Sequence, residues 1–589
     1  MAGTIAFVTQ TIPVDFPFTV TEIVLMGKSP YLGILGLDRK KEVTIGQISA
    51  CDPRAREIHK RRLIRKFVFI TKARKDENTK NSMILDKEHL SQNKAKPKGM
   101  CLAILGTGSE VGKSIVTTAL CRIFSDRGVR TAPFKAQNMS NNSGVTPAGL
   151  EMGRAQIVQA EAARIPPHVD MNPILLKPTG ESGSQVVVLG EAVENLTAGE
   201  YYKKKADLFS ITCTAFERLR DTYDLIIMEG AGSCAEVNLM PNDLVNLRMA
   251  EYADAPVILV ADIHRGGVFA QIVGTLECLV QKQRDQIAGF IINRFRGDLR
   301  LFDDGVRWIE RRTGKKVLGV LPWYDHFRIE AEDSVVIENP KTVAPVKRGV
   351  PVIAVIRLPL ISNFTDFDSL ASLSGLDVCF IENSQDLSGF KAVILPGSKN
   401  TRSDLQWLHT TGWSSIITGY AHQGGHILGI CGGYQILGKT VHDPDGLEGY
   451  PGESKGLNLL PIETVLKAPK TTTRSRFLWQ NAEGIGYEIH MGQTRRLGGT
   501  PLFHVVERNR ISCDTEDGCI VSGSRIMGTY IHGMFDTPGI TACWLNSIGL
   551  DSIEIPEPYG LAAKDTAYNH LAAHFAKHIN IREIVKLID

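Results

Sequence analysis

Residues 106–114 read Gly106-Thr-Gly-Ser-Glu-Val-Gly112-Lys113-Ser114. An apolar run, Met100 to Leu105, precedes them, and Ile115 to Phe124 follows with helical spacing. Glycines between a strand and a helix let backbone N–H groups close around phosphate oxygens at the positive end of the helix. In that arrangement Gly106, Gly108 and Gly112 shape the loop. Lys113 reaches the β- and γ-phosphates of a nucleotide such as ATP, and Ser114 ligates Mg²⁺. The common loop has four residues between its outer glycines. Here five separate Gly106 from Gly112, and Thr107 stands where the shorter form has glycine. Strand, Gly-Lys-Ser and helix occurring together favour a nucleotide site over a bare glycine turn.

Outward from this loop the pattern of strand, glycine turn and helix repeats. Asp224 to Met228, Pro256 to Ala261 and Ile287 to Ile292 are continuous apolar runs of strand length. They predict a parallel sheet covered on both faces. Asp224-Leu-Ile-Ile-Met-Glu229-Gly-Ala-Gly232 brings a carboxylate to the C-terminal sheet edge, where α/β ligands bind. Glu229 is therefore a candidate Mg²⁺ ligand, with a helix cap as the plainer alternative. Asp262-Ile-His-Arg-Gly-Gly-Val-Phe269 and Asn293-Arg-Phe-Arg-Gly-Asp298 end two more strands on that edge. Asn293 suits a purine edge, or simply a turn. Lys135, in Pro133-Phe-Lys-Ala-Gln-Asn-Met-Ser-Asn-Asn142, is placed to bridge nucleotide phosphate and substrate carboxylate, or else is a solvated lysine.

A polar, Pro-containing stretch at 338–350 reads as a linker. A second α/β series follows: Val352 to Arg357, Val378 to Ile381, Ala392 to Leu395 and His426 to Ile430. Gly429-Ile-Cys431-Gly-Gly433 then joins strand to helix, with small residues two before and two after the cysteine. That is a nucleophile elbow with a thiol, whose helix N-terminus favours thiolate. The backbone N–H of Gly432, and one from the Pro396-Gly397-Ser398 turn, are candidate oxyanion donors. The base is expected to be His532, in Gly528-Thr-Tyr-Ile-His-Gly-Met-Phe535, ahead of its rival His490. His426 begins the strand that ends at the elbow, so it lies at the far end.

The strand-to-glycine setting of His532 resembles that of class I glutamine amidotransferases. Those domains carry a glutamate two residues after the histidine; here that position is Met534, so a third member is missing or comes from elsewhere. The longer phosphate loop resembles that of dethiobiotin synthetase and its relatives, which phosphorylate carboxylates. Across Gly99 to Asp536 the motifs in order resemble the cobyric acid synthases. They include Gly106 to Ser114, Lys135 to Asn142, Glu151-Met-Gly-Arg-Ala-Gln156, Asp262 to Ala270 and Asn293 to Asp298. They continue with Ile361-Ser-Asn-Phe-Thr-Asp-Phe367, Leu395 to Asn400, Cys431 to Gly438, Gly486 to Gly492 and Gly528 to Asp536. One departure is His264, where the family's run has aspartate.

The resemblance implies an α/β protein in two parts. A P-loop-type, dethiobiotin synthetase-like parallel-sheet domain spans 99–337, and a class I glutamine amidotransferase-like domain spans 351–545, with a helical tail at 546–589. It implies glutamine, ATP and Mg²⁺, a corrinoid substrate, and no tightly bound prosthetic group. The implied reaction is amidation of the b, d, e and g carboxylates of adenosylcobyrinic acid a,c-diamide. A related ligase acting on the a and c carboxylates, or on a cell-wall lipid intermediate, is the alternative.

Residues 1–98 resemble something else. Gln10 to Gly27 followed by Ser29-Pro-Tyr-Leu-Gly33 looks like a fragment of an iron-chelate or cobalamin importer ATPase, without that family's own phosphate loop. This is expected to be a fusion remnant or a misplaced start rather than an independent domain. Net charge over 589 residues is +3, yet residues 52–98 alone hold fifteen Lys/Arg against six Asp/Glu, leaving −6 on residues 99–589. The basic balance is thus no argument for nucleic-acid binding by the body. Composition, 43% hydrophobic and 22% charged, excludes a disordered chain. No apolar run approaches the roughly 18 residues of a membrane span, so neither a membrane partner nor a membrane anchor is expected. Eleven cysteines without a CxxC pair suit a reducing, cytoplasmic setting.

Overall fold

A computed structural model of the chain describes residues 98–179, 183–324, 349–521, 523 and 525–588. The expectations for residues 1–97 and for nearly all of the 338–350 linker lie outside these residues.

Six parallel strands form the first sheet, in the order Lys316–Pro322, Ile287–Phe295, Val257–Asp262, Met100–Gly106, Leu225–Glu229 and Thr131–Phe134. Leu225–Glu229 and Val257–Asp262 are buried along their whole length. Helices cover both faces, so these strands read as unbroken apolar runs rather than alternating ones. Strand Met100–Gly106 lies where the order of connection reverses, which opens a crevice at its C-terminal end. The phosphate loop leaves from that crevice into helix Lys113–Asp126, whose N-cap is Gly112 at φ 95°. A Cβ at 112 would sit 2.1 Å from the Asn293 amide nitrogen, so both conformation and space demand glycine there.

The second large sheet runs Asp377–Ile381, Val352–Ile356, Ala392–Leu395, His426–Ile430 and Ile526–Thr529 in parallel, with Cys519–Ile520 antiparallel at its edge. Two further sheets are not legible as continuous apolar runs. One is built on the hairpin of Ile462–Trp479 with Ala482–Arg496. The other contains Gln137–Met139, Ile174–Pro178, Gly183–Val188 and Glu191–Thr197. Much of Ile462–Trp479 alternates buried with exposed positions because one face meets solvent.

The C-terminal helices Leu561–His578 and Ile581–Ile588 turn back onto the first sheet rather than the second. Tyr568, Leu571, Phe575, Ile579 and Ile584 share one core with Val116, Leu120 and Ile123 of the helix behind the phosphate loop. Arg122, fully buried in that helix, pairs with Asp565 and lies 5.5 Å from the Tyr568 ring.

The two halves are joined by buried polar contacts. Glu151 accepts from Lys177 at 2.6 Å and from Lys470 of the long hairpin at 2.7 Å. Burial opposes ionisation of Glu151, yet the two lysines hold its carboxyl well below the usual carboxylate range. Ser143 N donates to Asn363 Oδ1 at 3.0 Å, and Thr365 Oγ1 donates to Asn142 Oδ1 at 3.3 Å.

Candidate active site

At the first sheet's edge the expected nucleotide residues converge. Lys113 Nζ arches over its own loop, donating to Gly108 O at 3.0 Å and Gly232 O at 2.8 Å. Ser114 Oγ donates to Glu229 Oε1 at 2.8 Å, and Lys135 Nζ reaches the same oxygen at 3.1 Å. Gln159 Nε2 donates to the other carboxylate oxygen. Lys135 and Glu229 are both buried, so the solvated-lysine alternative does not describe Lys135. A hydroxyl and a carboxylate face each other here, the hard oxygen ligands that Mg²⁺ takes. Among the described residues no group of three or more His, Cys, Asp or Glu is placed to hold a metal ion. An Mg²⁺ at Ser114 and Glu229 would therefore complete its shell from phosphate and water, as this ion commonly does.

Asn293 lies against the phosphate loop. Its Nδ2 donates to Val111 O at 2.8 Å and its Oδ1 accepts from Arg294 N at 2.8 Å. The side chain braces the phosphate loop and keeps one further N–H and one further lone pair. His264 is exposed, with its ring 4.8 Å from Trp323, while neighbouring Asp262 pairs with Arg294 at 2.8 Å.

The elbow forms at the end of strand His426–Ile430. Cys431 has φ 53° and ψ −106°, a strained conformation for a residue with a Cβ. A Cβ on Gly433 would lie 1.9 Å from Leu395 O, and one on Gly429 would lie 2.7 Å from the Gly433 carbonyl. The tight turn thus needs glycine on both sides. Strand Ile526–Thr529 pairs beside this one, and Cys431 N donates to Thr529 O at 2.8 Å. His532, three residues past that strand, is brought to the cysteine in this way. A Cβ on Gly432 would meet Ser398 N at 2.7 Å, and one on Gly397 would meet His532 Cε1 at 3.0 Å. Both candidate oxyanion residues therefore border the Cys–His pair. His490 stacks on Tyr530 with ring centres 3.7 Å apart and bonds Gly492 O through Nδ1 at 2.8 Å. It lines the same cavity, whereas His426 opens its strand at the opposite end.

Asp366 stands where a third member would. Its Oδ2 lies 2.6 Å from His532 Nδ1, and its Oδ1 accepts from Gly533 N at 3.0 Å. Asp366 belongs to the short helical turn Phe364–Phe367, 166 residues before His532 in the chain. Met534, where a glutamate was the familiar choice, is fully buried in the core. Burial alone would depress the His532 imidazole. The charges of Asp366 and Cys431 and hydrogen bonds to both overcome this and raise it to about 10. The signal for Asp366 was its place inside Ile361-Ser-Asn-Phe-Thr-Asp-Phe367, where the acid stands between Phe364 and Phe367.

A cavity of about 320 Å³ opens onto Cys431, lined also by Lys399, Glu448 and His490, and by Lys177 and Asn195 from the first half. Burial pushes Lys399 down to about 7, helped by Lys470 and Lys177, and pushes Glu448 up to about 7. Neither residue stood out as a site residue in the sequence.

Comparison with known proteins matches both halves. Residues 102–336 fit the family described as the CobQ/CobB/MinD/ParA nucleotide binding domain, and residues 352–539 fit the CobB/CobQ-like glutamine amidotransferase domain. The cobyric acid synthase of Chlorobium phaeobacteroides (strain BS1) is 50% identical over 493 residues, 83% of this chain and 99% of that protein. That of Chlorobaculum tepidum is 47% identical over 492 residues, covering 82% and 97%. That of Chloroflexus aurantiacus is 47% identical over 481 residues, covering 81% and 96%. Identity at this level over nearly the full length of these relatives spans both sheets and both sites, and the chain belongs to the cobyric acid synthase family.

Proposed function

We propose that this protein amidates the b, d, e and g carboxylates of adenosylcobyrinic acid a,c-diamide, using ATP and glutamine and yielding adenosylcobyric acid. The observation that carries this reading is one chain holding two sites: the Cys431–His532–Asp366 constellation and the Lys113–Ser114–Glu229 edge. The first suits release of ammonia from glutamine and the second suits activation of a carboxylate.

Glutamine enters the Cys431 cavity, which has room for an amino acid. Lys399 takes its α-carboxylate and Glu448 its α-ammonium. Cys431 Sγ attacks the side-chain amide carbon, and Gly432 N–H with a donor from the Gly397–Ser398 turn holds the oxyanion. His532 gives a proton to the leaving ammonia, then takes one from the water that hydrolyses the thioester. Asp366 keeps the ring oriented and supports its positive charge, the role of the third member in such triads.

At the other site Lys113 and Lys135 face the phosphates and stabilise charge on the transferring phosphoryl group. Ser114 and Glu229 would hold Mg²⁺, which when bound neutralises phosphate charge. The corrinoid carboxylate accepts the γ-phosphoryl group, and ammonia displaces phosphate from the acyl phosphate. Asn293 supports the loop through Val111. Ten free cysteines among the described residues suit a cytoplasmic setting. No described helix is long and apolar enough to cross a membrane.

Mass spectrometry of the product from the a,c-diamide, glutamine and ATP tests the reading. Four acid-to-amide conversions are expected. A product amidated elsewhere, or none, overturns it.

A further inference from the structure

Two stretches in the sequence carry more than their single site residues: Lys135 to Asn142, and Ile361 to Phe367. The fold lays them end to end between the two sites. Lys135 Nζ touches Glu229 at 3.1 Å at the nucleotide edge. Eight residues later Ser143 N donates to Asn363 Oδ1 at 3.0 Å, and Asn363 Nδ2 lies 3.3 Å from His532 Nε2. Thr365 Oγ1 adds a second tie to this segment, donating to Asn142 Oδ1 at 3.3 Å. Asn363, Thr365 and Ser143 are buried, so these bonds do not compete with bulk water.

The bonding pattern settles which atom faces which. A backbone N–H can only donate, so the oxygen of the Asn363 carboxamide faces Ser143 and its NH₂ faces His532. Asp366, a carboxylate, accepts from Nδ1–H, and in the neutral ring this leaves a lone pair on Nε2. Asn363 donates to that lone pair and so favours the neutral ring, against the charges of Asp366 and Cys431, which favour the protonated one. Nε2 is also the atom that must hold the proton shuttled between Cys431, ammonia and water. Once Nε2 carries a proton, the Asn363 NH₂ has no acceptor there and must swing away. A carboxamide is rigid, so this swing disturbs its bond to Ser143 as well. The backbone at Asn363 is itself held in the left-handed region, at φ 51° and ψ 40°, which points the amide at the ring. Near each end of the Lys135–Ser143 segment a buried acceptor lacks a partner among the described residues: Gln159 Oε1 beside Glu229, and Asn141 Oδ1. This arrangement leaves polar groups unsatisfied that a shifted segment can satisfy.

We propose that Asn363 is a positioning residue that couples glutamine hydrolysis to occupancy of the nucleotide edge, holding a hydrogen bond on His532 Nε2 that a shift of the Lys135–Ser143 segment releases. The proposal rests on reading Cys431 and His532 as the glutamine-hydrolysing pair. By linkage the coupling is reciprocal in binding: a ligand that draws Lys135 from Glu229 biases His532, and glutamine bound at Cys431 biases the nucleotide edge.

The test uses the full chain. Glutamate release is measured without and with ATP plus the a,c-diamide, beside amidation driven by ammonia. Asn363→Gly keeps the left-handed backbone without strain and removes the amide. Unstimulated glutamate release is expected to rise at least 5-fold, with the stimulated-to-unstimulated ratio falling toward one. Ammonia-driven amidation persists. Thr365→Val, which removes only the second tie, is expected to lower that ratio at least 2-fold. Three results overturn the proposal: no stimulation of the unaltered protein, an unchanged ratio in both variants, or loss of glutamate release in Asn363→Gly with ammonia-driven amidation intact. Failure of the underlying reading is a separate result, in which Cys431→Ala still supports glutamine-dependent amidation.

Discussion

Replacing Asp366 with Asn changes one atom and isolates the third member of the triad. Gly533 N donates to Oδ1, so that oxygen is retained and the new NH₂ takes the place of Oδ2, 2.6 Å from His532 Nδ1. Two N–H groups cannot face each other. The imidazole must move its proton to Nε2, and a base with a protonated Nε2 cannot take one from Cys431. The positive charge that Asp366 supports in the buried ring is lost as well. In a serine-protease triad the same Asp-to-Asn change leaves the geometry intact, fixes the wrong tautomer and lowers kcat about 10⁴-fold. At about 1.4 kcal/mol per factor of ten that is about 5–6 kcal/mol of transition-state stabilisation, and a loss of kcat of roughly that size is expected for glutamine-dependent amidation. The assay is glutamate release and amide formation, with ammonia-driven amidation as the internal control for folding. That control is expected to change little. A glutamine-dependent kcat within about 3-fold of the unaltered protein would refute the assignment of Asp366. The same pair makes a stability prediction. His532 is raised from 6.5 to about 10 in the folded protein, so its contribution is fully present below about pH 6.5 and is lost as pH rises toward 10. The stability gap between the unaltered protein and Asp366→Asn should therefore narrow over that interval in urea titrations.

Other expectations follow from the same geometry. Cys431→Ala should abolish glutamine-dependent synthesis while ammonia-driven synthesis continues; Lys113→Ala should abolish both, and retained ammonia-driven synthesis would count against its role. Lys399→Met should raise the KM for glutamine about 10-fold or more with a smaller change in kcat, read from initial rates. Phe575→Ala, in the C-terminal helix packed behind the phosphate loop, should cost about 3–5 kcal/mol in chemical denaturation and so loosen the nucleotide half. Residues 99–589 expressed alone should retain amidation, and a large loss would assign residues 1–98 a part in the reaction.

Local chemistry accounts for what could be read directly along the chain. Continuous apolar runs predicted the parallel strands at Met100, Leu225, Val257 and Ile287, because strands buried on both faces carry no polar alternation. The Gly-Lys-Ser turn and the Cys431 elbow were equally legible, since a strained turn at a strand end needs glycine at fixed positions close in sequence. Three things were decided only by the tertiary structure. Asp366 joins His532 across 166 residues, the C-terminal helices close the core behind the first sheet rather than the second, and Lys177 of one half enters the Cys431 cavity of the other. Each depends on which surfaces meet when the sheets pack, and no residue spacing encodes that meeting. A cysteine's need for a strained turn is written within five residues. The partner that orients its histidine is set by how a distant buried carboxylate finds a proton donor.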